Sequence, residues 1–177
     1  MFAEDLSHPL TPTQKFKRAF RESLFPGIIV AMGAGGISMA TDSKLDRDYG
    51  MGFDGFIRRA GASWAQDASS LFVGDWMLSS VLHTDPRYHP SKRAGFGNRL
   101  GHVIARVFVT EKDSGGTTFN TAGILGEAVG ASVGQGVHHV SDQRAEYYAE
   151  RFGWALAATT GFNFVKEFFF YRHEPRN

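Results

Sequence analysis

The chain has 177 residues, with 19 Lys and Arg against 18 Asp and Glu and a formal net charge of +1. That balance excludes a dedicated nucleic-acid binder, whose basic footprint would show in the count. The absence of Cys excludes a disulfide framework, thiolate chemistry and a zinc finger, and the length suits one domain with a sizeable core.

Met1–Leu10 carries Glu4 and Asp5 where a secretory signal would have a basic region and an apolar run. These residues read as a mobile leader to a single domain over 1–177, and the mature form of an exported protein remains compatible with them. Thr11-Pro12-Thr13-Gln14 then starts a helix, with Thr as N-cap, Pro at N1 and Gln at N3. Phe16, Phe20 and Leu24 share one face of it, and Lys15, Lys17, Arg18 and Arg21 occupy the others. Such a basic amphipathic helix can lie on an anionic membrane, which makes Lys15, Phe16, Arg18, Phe20, Arg21 and Leu24 the expected membrane-contact residues. The plainer alternative is a surface helix with its Phe side chains in the core.

Pro26 is expected to open a second helix, in which Gly27, Ala31 and Gly35 lie four apart. Ser23–Thr41 is the longest run without Asp, Glu, Lys or Arg. As a helix it would measure about 28 Å, close to a bilayer core of about 30 Å, although Pro26, Ser38 and the glycines interrupt its apolar character. Asp46–Gly55 reads as a loop and residues 56–83 as one long or kinked helix, broken by Pro86 and Pro90. Arg93–Thr110 reads as a helix, Glu111–Thr117 as a polar turn, Thr118–Val140 as a helix, and a last helix runs to Tyr171 after a Ser141-Asp142 cap.

Small residues recur at a spacing of four in several of these helices: Gly97, Gly101 and Ala105; Ala122, Gly126, Gly130 and Gly134; Gly153, Ala157 and Gly161. A glycine inside a helix costs roughly 1 kcal/mol against alanine, so the files call for close approach of a second backbone. The expected fold is therefore all-α, a compact bundle of about five to seven helices with glycine-groove packing. The same files are the expected helix-packing or oligomer contacts, a glycine-zipper pattern that favours a homo-oligomer. No alternation long enough for a sheet is seen.

His83-Thr84-Asp85-Pro86-Arg87-Tyr88-His89 is the densest polar cluster, and His83, Asp85, Arg87, Tyr88 and His89 are the candidates for a binding or acid–base site. A helix end followed by a self-satisfied turn explains the same residues without chemistry. His138, His139 and Asp142 are the candidate metal ligands, against a helix boundary at Ser141 and the lack of HExxH. His102 is a possible porphyrin ligand or a satisfied core residue. Glu127 is the only charged side chain between Ser114 and Ser141, on a row with Gly123, Ala131 and Gln135 that is expected to face solvent or a pore. The glycines match neither GxGxxG nor GxxxxGKS/T, so no nucleotide or other cofactor is expected, and no small-molecule ligand is defined.

At Leu82-His83-Thr84-Asp85-Pro86-Arg87-Tyr88 and at Asp113-Ser114-Gly115-Gly116-Thr117-Thr118-Phe119-Asn120 the chain resembles a family of exported, glycine-rich helical proteins of the bacterial envelope. The similarity runs from about Leu10 to Phe169 and implies an envelope location. It carries no catalytic residues with it. The expectation is thus a non-enzymatic, membrane-associated structural or assembly protein that pairs with itself and with lipid. The alternative is a soluble helical enzyme or ligand carrier with its cleft at His83–His89.

Overall fold

The computed structural model describes residues 5–41, 44–136 and 145–171. Helix α1 (Pro12–Ala40) starts on the expected capping box, in which the Thr11 side chain accepts from Gln14 N and the Gln14 side chain accepts from Thr11 N. It runs unbroken through Pro26, contrary to the expectation of two helices. Trp64 Nε1 donates to Ser23 O at 2.7 Å beside the proline, and a Cβ on Gly27 would sit 2.8 Å from Glu22 O. Proline displaces the carbonyl four residues back, and the following glycine gives that displaced group room.

After a 3₁₀ turn at Lys44–Tyr49, α2 (Gly52–Ser70) continues through wide π turns at Leu71–Leu78 into α3 (Ser79–Val81). Together they form one rod, antiparallel to α1. Helix α4 spans Phe96–Phe108, α5 spans Thr121–Gly136 and α6 spans Ala145–Val165, with further π turns at Lys166–Phe170. The helix α1 packs along α2, α2 along α5, and α5 along α6, while α4 lies across the end of α6.

The helical expectation holds, with one addition. A small antiparallel sheet caps one end, in the order β1 (Thr84–Asp85), β2 (Val109–Lys112), β3 (Thr117–Phe119). Thr110 faces Thr118 in its register, and Gly115 and Gly116 turn the hairpin at φ +91° and +78°. The helix expected to Thr110 therefore ends at Phe108, and the one expected from Thr118 starts at Thr121. Strands this short are below the length at which alternation is visible. The signal present was a Gly-Gly turn between β-branched residues.

Close backbone contact occurs along the α5 file and at Gly35 of α1. A Cβ on Gly126 would lie 2.6 Å from Gly74 Cα, and one on Gly130 would lie 2.6 Å from Gln66 O. Gly134 abuts the Gln66 side chain, and Gly35 abuts the Ala60 backbone. Ala122 is buried in the same seam. By contrast, among the described residues no neighbouring segment comes within 4 Å of a Cβ on Gly97, Gly101, Gly153 or Gly161, and Ala105 and Ala157 beside them are exposed. Among the described residues, those two files have no close backbone partner.

The side chains are distributed opposite to the usual rule for water-soluble proteins. Seven alanines supply most of the buried apolar residues, whereas Lys15, Arg18, Arg59, Arg87, Arg106, Arg151 and Glu167 are all buried. The large apolar side chains lie outside: Phe25 is 74% exposed, Ile37 68%, Trp154 66% and Phe169 70%. Within Leu24–Ala40 of α1 every exposed residue is apolar, and the same is true from Gly153 to Phe170. Each stretch covers about 25–27 Å at 1.5 Å per residue. The rod from Gly61 to Leu82 also exposes only apolar residues and glycine.

This inversion corrects the expectation for α1. Lys15 is 1% and Arg18 6% exposed, so neither is available to a membrane surface. Phe16, Phe20, Arg21 and Leu24 do face outward. Asp5 and His8, in the expected leader, are held by their carbonyls to the Arg87 guanidinium.

Candidate functional site

Two polar regions lie inside the apolar shell. The first is the cap, where the sheet, α4 and the end of α6 meet. Glu167 is fully buried there and is the centre of one network. Tyr88 Oη and Ser91 N donate to Glu167 Oε2, each at 3.1 Å, and Arg99 Nε donates to Oε1 at 2.8 Å. Burial, then the Glu167 charge, pushes the Tyr88 phenol well above its ordinary range. Arg99 also lies over the Phe168 ring, 4.1 Å from its centroid.

Asp85 is the centre of the second network. Arg87 grips it through Nε at 2.9 Å and a terminal nitrogen at 2.6 Å, and His89 Nε2 lies 3.2 Å from Oδ2. Burial opposes ionisation of Asp85. The bonds from His89 and Arg87, with the Arg87 charge, outweigh it and hold the carboxyl well below the usual range. Lys15 Nζ, from the far side, donates to Ser79 O at 3.1 Å, Thr84 O at 2.8 Å and Asp113 Oδ2 at 2.7 Å. It ties α1 to the rod, β1 and the hairpin.

The polar atoms of the expected His83–His89 site are therefore engaged with one another and with backbone. Asp85, Arg87 and Tyr88 converge, but on structural partners. His83 is exposed, with a left-handed φ of +52°, and its carbonyl accepts from Asp113 N at 2.9 Å. His102 Nε2 pairs with His89 O at 2.8 Å, which engages the nitrogen a porphyrin would require. His138, His139 and Asp142 lie outside the described residues. Among the described residues no three His, Cys, Asp or Glu group as metal ligands.

The second region is a cavity of about 1850 Å³ bounded by α1, the rod, α5 and α6. It exists because α1 and α6 do not pack along one another, so the four elements form an incomplete ring. Its ends are basic and paired. Arg18 meets Asp75 at 2.6 Å towards the cap. At the other end Arg151 meets Asp46 at 2.6 Å and Gln135 at 3.0 Å.

Glu127 stands between these ends, on the row expected to face solvent or a pore. It accepts from Thr159 Oγ1 at 2.8 Å and from the Ser70 side chain. Asp67, on the rod, lines the same wall within electrostatic reach of it. Asn163, one turn beyond Thr159 on α6, also lines the cavity. Asp67 and Asn163 were not singled out from the sequence. Each is a single polar residue in a helix, and its inward direction depends on which face its neighbours cover.

Compared with known proteins, the chain matches no family model, no curated protein and no solved structure. Among the described residues one helix, Pro12–Ala40, is long and apolar enough to cross a membrane by length and composition. It is compatible with membrane association in that coarse sense.

Proposed function

We propose that this chain is a non-enzymatic, membrane-embedded protein of the bacterial envelope, with lipid around its apolar belt and a cavity within that holds a few charged side chains. The observation that carries the reading is the inversion of inside and outside. Soluble monomers rarely leave large apolar patches bare, and here three long elements expose nothing polar over most of a bilayer thickness. Charged residues rim the belt, with Lys17 and Arg21 at one end and Asp54 and Arg58 at the other, where snorkelling side chains reach headgroups. The mean hydropathy of −0.23 averages over charges that are either buried, such as Lys15, Arg18 and Glu167, or exposed outside the apolar stretches. Self-association fits the same picture, with the exposed Gly153, Ala157 and Gly161 file on α6 as the contact for a second copy.

The test is purification with and without detergent, followed by reconstitution of a Trp64→Phe, Trp76→Phe variant into vesicles with brominated acyl chains. Trp154, the remaining tryptophan, is expected to lose most of its fluorescence to bromine quenching. Recovery as a soluble monomer without detergent, with Trp154 unquenched, overturns the reading.

A further inference from the structure

We infer that the cavity binds a small organic cation carrying primary ammonium groups, held at its mid-height by Asp67 and Glu127. The inference rests on the proposed membrane reading for its biological setting, but its chemistry follows from the cavity alone.

Asp67 and Glu127 have no basic partner among the described residues. Arg18 and Arg151 are engaged at the two ends with Asp75 and Asp46. Asp67 is eight residues from Asp75, and Glu127 eight from Gln135, which is about 12 Å along each helix. Lys166 is seven residues beyond Thr159, about 10 Å, and bonds neither carboxylate. Two carboxylates facing one chamber without a counter-charge are costly to keep ionised, and a cation between them removes that cost.

A second observation points to an occupant independently. Asn163 is 8% exposed, lines the cavity, and its carboxamide makes no hydrogen bond among the described residues. Buried amides are ordinarily satisfied. One turn beyond Thr159, which bonds Glu127, this amide's oxygen is placed to accept from an ammonium group bound beside that carboxylate.

The donors decide the kind of cation. They are all oxygens with the Asn163 amide added, yet among the described residues no cluster has enough ligands to clasp a metal ion, and calcium takes six to eight oxygens. The chamber exceeds the 300–1,000 Å³ of ordinary small-molecule pockets and is far larger than a bare ion needs. Two carboxylates match a diammonium.

The test is calorimetric titration of the full chain in detergent with putrescine, with sodium and calcium chloride as separate arms. Putrescine is expected to bind the wild type, with affinity reduced at least about tenfold by Asp67→Asn or Glu127→Gln and about fivefold by Asn163→Ala. Glu146→Gln, at the exposed start of α6, serves as the control for net charge and is expected to bind as the wild type does. Circular dichroism melts of the same variants verify folding, and Asp67→Asn is expected to melt no lower than the wild type. No putrescine binding, or binding unchanged in the Asp67→Asn, Glu127→Gln double variant, overturns the inference. Calcium or sodium binding at the same carboxylates in place of putrescine also overturns it. Because the titration needs no bilayer, its failure is distinct from failure of the membrane reading, which the detergent requirement and Trp154 quenching decide.

Discussion

At the capped end, Glu167 receives Tyr88, Ser91 and Arg99, Asp85 grips Arg87, and Lys15 reaches Asp113. At mid-cavity, Glu127 has only hydroxyl partners, and Asp67 lines the same wall within electrostatic reach of it. Both regions bury carboxylates within the same apolar shell. In the cap the opposite charge is supplied by the chain itself, so these groups fix the positions of α1, α4, α6 and the sheet. In the cavity it is not supplied, and the structure is complete without it. Paired burial here signals architecture, and unpaired burial signals a place for something else.

The largest test of that contrast is Glu167→Gln. It leaves Arg99 without its carboxylate in a buried site, and breaking a buried pair typically costs about 3–5 kcal/mol. Denaturant unfolding in detergent is expected to show a loss of that size, whereas Glu127→Gln is expected to cost little or nothing. Equal losses at the two sites would erase the distinction.

Next in size is Gly126→Val, whose Cβ would press on the Gly74 backbone at 2.6 Å. Overpacking of this kind costs about 1–3 kcal/mol, readable as a lower melting midpoint. Acid titration gives a further, smaller effect. The folded-state value of Asp85 is depressed, so its contribution to stability is present above the unfolded value of about 3.9. It is lost as pH falls through the folded value. An Asp85→Asn variant is expected to show a flatter stability profile below about pH 4, measured by unfolding at stepped pH.

The smallest expected effect has the opposite sign. Gly161→Ala meets nothing within 4 Å and is expected to stabilise α6 by roughly 0.5–1 kcal/mol. A loss of stability that depends on protein concentration would instead place a second copy against that face.

Much of the fold is legible in the residues alone. The capping box at Thr11 and Gln14 set the start of α1, and the Ala122–Gly134 spacing marked a seam that α5 makes with Gly74 and Gln66. Glu127 stood out as a lone charge on an otherwise uncharged helix. The hairpin at Gly115-Gly116 was missed because strands of two to four residues carry no measurable period. Pro26 read as a boundary, yet a glycine beside it and Trp64 across from it let the helix continue.

The sequence by itself determined that helices form, where most of them begin, and that glycines must come close to something, because these follow from local backbone energetics and spacing. Which face of each helix turned inward was decided only by the tertiary structure. Phe16 and Lys15 are adjacent on the chain, and periodicity is the same whether the apolar or the charged stripe is buried. The sign of that choice depends on Ser79, Thr84 and Asp113, between 64 and 98 residues away, and it makes the inside of this molecule polar.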